Sequence, residues 1–138
     1  MDARKGVSVV TTEALCEASD YMLQGDTEKL KVWILDNIKT VGDLYKTLFV
    51  LSAVAGELAR RVTESTGGTL TVVDIPDEGT PQSWIDVHYL VAIQANRDDA
   101  YPFLASLFEK EAEHPLWVLK ALCVLTYGLV MKVEKEDL

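Results

Sequence analysis

Only two histidines occur among the 138 residues, and each has a carboxylate close by in the sequence. Glu111-Ala112-Glu113-His114 sets a glutamate and a histidine three apart. On a helix that spacing shares a face, and carboxylate-bridged di-iron bundles use the pair twice, with two further glutamates. Here the pair occurs once and runs directly into Pro115, which disfavours helical backbone at the residue before it. The pattern therefore favours a surface charge cluster with a capping histidine. Asp86-x-His88 sets a carboxylate and an imidazole two apart. On a helix such residues point about 200° away from each other, so they do not share a site unaided. His88 and Tyr89 lie among Val87, Leu90 and Val91, which favours a core or boundary histidine with one satisfied hydrogen bond. The competing reading is a general base or pH switch that reaches a partner surface.

The remaining chemistry-bearing residues give less. Cys16 and Cys123 lack the spacing of a zinc or dithiol site and read as small buried hydrophobes of a reducing compartment. Gly67-Gly68-Thr69 lacks phosphate-loop spacing and precedes a β-prone stretch instead of following one. No residue is assigned to catalysis, to a cofactor or to a metal. Trp33, Trp84 and Trp117 fall near the start or middle of helical segments. Packing accounts for most such tryptophans, but the residue is also enriched at binding hot spots. With His88, these three form the candidate interaction residues.

The elements that carry them follow from periodicity. Between Thr40 and Ser65, Val41, Leu48, Ala55 and Val62 recur every seven residues, and Leu44, Leu51 and Leu58 fall three later. That is the seam of a long helix. Thr40 is placed to cap it with Asp43 in a variant of the capping box; the helix should run to about Glu64 and end at Gly67-Gly68. Ser52 and Gly56, four apart, leave room for a neighbouring backbone. Upstream, Thr12 is the expected N-cap of a helix reaching Gln24, with Gly25 as its left-handed terminator. Asp26 or Thr27 opens a second helix bearing Leu30, Trp33, Ile34 and Ile38. Downstream, Thr80-Pro81 starts a fourth helix expected to be central. Asp99 caps a fifth that holds Pro102 in its first turn, and His114-Pro115 starts a sixth.

Thr69–Ile75 is β-branched and bounded by turn residues. Val7–Thr11 is its expected partner in a short two-stranded ribbon, an extended loop or pairing with a second chain being the alternatives. The fold expected is all-α: one domain over residues 1–138, a bundle of about six helices with that ribbon attached.

Composition bounds the function. The formal net charge is −9, which opposes nucleic-acid binding, since phosphate neutralisation needs clustered lysine and arginine. Leu116–Val133 is the greasiest stretch, but Lys120 interrupts it, and a central bundle helix is preferred to a membrane span. No secretory signal is evident, so the expected location is cytoplasmic. The favoured function is a non-enzymatic interaction module (inhibitor, immunity-type factor, adaptor or assembly chaperone) that presents an acidic helical surface to a protein partner of basic character. Apolar seams on the third and sixth helices exceed what one small domain can bury, and homodimerisation would cover the surplus. The runner-up is a small enzyme or ligand carrier with an inter-helix pocket near His88.

Overall fold

A computed structural model describes residues 10–66 and 81–135. Six helices follow in order: α1 (Thr12–Gln24), α2 (Thr27–Asn37), α3 (Val41–Thr66), α4 (Gln82–Ala95), α5 (Tyr101–Phe108) and α6 (His114–Lys135). The all-α expectation holds, with no strand among the described residues. The expected ribbon falls outside them except for Val10 and Thr11. Val10 is buried and irregular, and Thr11 is a helix cap.

The long helix α3 is the hub, packing against α4, α6, α1 and α5. Its seam is the reason: Leu48, Leu51 and Ala55 are wholly buried, and Leu44 and Val62 nearly so. Truncating a fully buried leucine such as Leu51 to alanine would cost about 3–5 kcal/mol. Where α3 crosses α4 the chains approach closely. A Cβ on Gly56 would stand 2.9 Å from the Ala95 backbone nitrogen and 2.7 Å from the Gln94 Cβ, so only glycine fits. The Gln94 side-chain amide donates to the Ser52 hydroxyl at 3.0 Å and to the Phe49 carbonyl at 3.1 Å, stitching the same crossing. The expectation that positions 52 and 56 admit a neighbouring backbone is met.

Helix ends follow local chemistry with small shifts. Thr11, not Thr12, caps α1, its hydroxyl accepting from the Ala14 N–H at 3.1 Å; either threonine could serve, and helical pairing extends one residue further than expected. Gly25, at φ +68°, closes α1. Its N–H donates to the Met22 carbonyl and that of Asp26 to the Tyr21 carbonyl, a Schellman turn. Asp26 caps α2 through the Lys29 N–H. Thr40 accepts from the Asp43 N–H while Asp43 accepts from the Thr40 N–H, both at 3.0 Å, which is a reciprocal capping box with aspartate in the glutamate position. Asp99 accepts from the Tyr101 N–H at the start of α5. That short helix is held on α3 by ring contacts: Phe49 stacks on Tyr101 at 4.9 Å, and Tyr45 meets Phe108 at 5.5 Å.

Candidate interaction surfaces and the buried polar cluster

The two histidines end up in different environments. Asp86 and His88 do not share a site, as their spacing implies. His88 points into the core, its ring edge-on to Trp84 at 4.9 Å, with no hydrogen bond at Nε2. Burial lowers its pKa and keeps it neutral. It is a core histidine, but without a satisfied Nε2.

His114 corrects the sequence expectation. Instead of capping a surface cluster, its Nε2 lies 2.7 Å from Asp86 Oδ2. Lys110 Nζ donates to the same oxygen at 2.9 Å, and the Gln82 side-chain amide donates to Oδ1 at 2.9 Å. Helix α4 supplies Gln82 and Asp86 one turn apart, and the α5–α6 turn folds Lys110 and His114 over them. The imidazole turns away from the Glu111-x-x-His114 cluster because its partner lies 28 residues away in the chain. Burial of Asp86 raises its carboxyl pKa, but the hydrogen bonds from Lys110, Gln82 and His114 outweigh this, and the net shift is downward. The Gln82–Asp86 pairing was legible as an i, i+4 spacing; no sequence signal pointed to Lys110. Such an arrangement locks α4 to the start of α6, and Asp86 itself is almost wholly enclosed.

The thiols divide. Cys123 is buried, which pushes its pKa up to about 12, so no thiolate forms near neutrality. Cys16, expected inside, is exposed, because it lies on the polar side of α1. Among the described residues no group of three His, Cys, Asp or Glu side chains is placed to hold a metal ion.

Two surfaces stand apart from this interior. The first is an open groove of about 380 Å³ between α1 and α2. Glu17, Glu28 and Asp36 supply carboxylates; Tyr21, Val32 and Trp33 supply apolar wall. Lys29, the one cation lining it among the described residues, lies 5.8 Å from the centre of the Tyr21 ring and 3.8 Å from Asp26. Tyr21 donates its hydroxyl to Glu17 at 3.1 Å, a bond that raises the phenol's pKa. Trp33 belongs to this wall although it is only 2% exposed.

The second surface is the outer side of α6. By length and composition His114–Glu134 could cross a bilayer, yet only 33% of its most apolar window is buried in the bundle. Trp117 (53% exposed), Val124 (60%), Tyr127 and Met131 lie outside. Lys120 holds its ammonium 4.6 Å from the centre of the Trp117 ring, an exposed cation–π contact. Of the four sequence-nominated interaction residues, Trp117 alone is largely exposed; Trp33 and His88 are buried and Trp84 is half-buried.

Among the described residues the protein is a six-helix, all-α bundle. No protein-family model, curated protein or solved structure matches the chain.

Proposed function

We propose that this protein is a non-enzymatic interaction module whose acidic α1–α2 face receives a basic segment of a protein partner. The observation that carries this reading is the groove itself. Among the described residues three carboxylates border an apolar and aromatic wall, and the one lysine there is already paired with Asp26. Lys29, resting near the Tyr21 ring, illustrates the group such walls accept: an aliphatic stem on an apolar floor with its charge among carboxylates. The net charge of −9 adds long-range attraction for a basic partner. The enzyme reading has less support, because His88 is sealed in the core and Asp86 is saturated by its own neighbours.

The test is titration of the protein with a fluorescent peptide alternating lysine and leucine, and with its glutamate counterpart. The basic peptide should bind, more weakly at high salt, and the Glu28→Lys, Asp36→Lys double variant should weaken it at least tenfold. Equal binding by both peptides, or a double variant that binds as tightly as the native chain, would remove the groove as the docking face.

A further inference from the structure

We infer that two copies of this chain associate through the outer side of α6, the helices running antiparallel. The inference is independent of the α1–α2 groove and rests on a different set of residues.

Trp117, Val124 and Met131 stand seven apart, and Lys120, Tyr127 and Glu134 repeat the interval three positions later. All six are exposed. They form a complete two-column seam about 26 Å long at 1.5 Å per residue. Among the described residues its centre stays largely open: Val124 is 60% exposed, and Tyr127, whose ring packs on Gly25 at the end of α1, is 43% exposed. The buried side of the same helix, with Val118, Leu119, Leu122, Cys123 and Thr126, already faces the core. Helix α6 thus has two packing faces; the bundle fills one and touches the other through Tyr127 on Gly25.

Charge placement selects a second copy as the occupant. The seam has a cation near its beginning, Lys120, and an anion at its end, Glu134. Antiparallel pairing sets one column of the first helix against the other column of the second. Val124 then meets Tyr127 of the second copy, Lys120 meets Met131, and Trp117 meets Glu134. Lys120, held over Trp117, is brought beside the Glu134 of the other chain, and the two-fold axis repeats that pair at the far end. Parallel pairing would place lysine against lysine and glutamate against glutamate, a like-charge arrangement at both ends.

Gly128 supplies a separate observation. A glycine inside a helix weakens it, and a Cβ at Gly128 would meet nothing within 4 Å in the bundle. Among the described residues no contact requires its small size. With Ala121 seven residues earlier it borders the seam on one side, where a second helix backbone would come closest. The area of one helix face, on the order of 400 Å² per copy, is about half that of a standard interface. The expected dimer is therefore weak, with a Kd on the order of 10 µM.

Sedimentation equilibrium of the full chain across low to high micromolar concentration tests this, with circular dichroism confirming that each variant keeps its helices. The native chain should pass from monomer to dimer. Val124→Glu should leave it monomeric throughout while retaining the native melting temperature, since the side chain is exposed. Lys120→Glu and Glu134→Lys should each weaken association about tenfold, and the two together should recover it to within about threefold of native. Gly128→Leu should raise the melting temperature of the monomer yet weaken the dimer. A native chain that stays monomeric, with or without binding to neutral phosphatidylcholine vesicles in flotation, overturns the inference. So does a double charge reversal that associates no better than the single ones. Groove variants such as Glu28→Lys should still dimerise, so either result leaves the α1–α2 reading to its own test.

Discussion

Asp43 and Asp86 are both enclosed carboxylates, and the fold satisfies them in opposite ways. Asp43 accepts from the backbone N–H groups of Val10, Lys39 and Thr40 at 2.9–3.0 Å. Asp86 accepts from side chains, those of Gln82, Lys110 and His114. Backbone donors at a helix start are fixed dipoles that cannot turn back to water without unwinding the turn. Lys110 is 41% exposed and can swing out. The first carboxylate is thus built into the local chain path and ties the segment before α1 to the start of α3. The second is a clasp between elements already held by apolar packing. Burial alone therefore does not rank charged residues; the freedom of their partners does.

Substitution at these two positions tests the ranking. Asp43→Ala strands three backbone donors at once, that of Val10 buried and those of Lys39 and Thr40 part-buried, and should cost about 2–3 kcal/mol in urea unfolding. A loss smaller than that from removing Asp86 would invert the comparison. Asp86→Asn keeps the shape of the clasp but not its charge, and should cost about 1–2 kcal/mol because Lys110 rehydrates. Its effect should shrink in high salt, whereas that of Asp43→Ala should persist. Thr40→Ala removes half of the capping box and should cost about 1 kcal/mol.

The smallest effects are those of pH, and their signs are fixed. The folded-state pKa of Asp86 lies below its ordinary 3.8, so its stabilisation is complete above that value. It is lost as pH falls from 3.8 through the folded-state value. The stability gap between the native chain and Asp86→Asn should therefore be level near neutrality and close below 3.8. For His88 the folded-state pKa lies below its ordinary 6.5. The unfolded chain takes up that proton first, so stability declines as pH falls below 6.5 towards the folded-state value. His88→Phe, which keeps the ring, should flatten that decline in thermal melts while leaving the lower step in place. A variant that follows the native curve across both windows would show that His88 gains a partner on protonation.

A pair of helix ends shows which features could be read in advance. Gly25 terminates α1 in a left-handed Schellman turn, and glycine at that position signalled it. The same turn ends α4, where the Arg97 N–H donates to the Gln94 carbonyl and that of Asp98 to the Ile93 carbonyl. Arg97 sits there at φ +58°, a conformation its Cβ opposes by about 1 kcal/mol, so the residue type gave no hint. Its guanidinium lies 3.7 Å from the Glu57 carboxylate on α3. The candidate surfaces divide in the same way. Trp117 was nominated from sequence and is exposed; Trp33, nominated beside it, is buried. Residue type alone does not distinguish an anchor turned outward from one turned inward.

By itself, the amino-acid order determined the helices, most of their caps and the close approach at Gly56. These depend on residues within a few positions of each other, or on an apolar period that repeats along one segment. The tertiary structure alone decided that His114 reaches Asp86 instead of the solvent, that α3 spends its seam on the core, and that α6 keeps one seam outside. Those outcomes depend on which faces meet once six helices compete for a limited interior. That competition is decided by the volume and shape of the assembled bundle, quantities that no local window of residues contains.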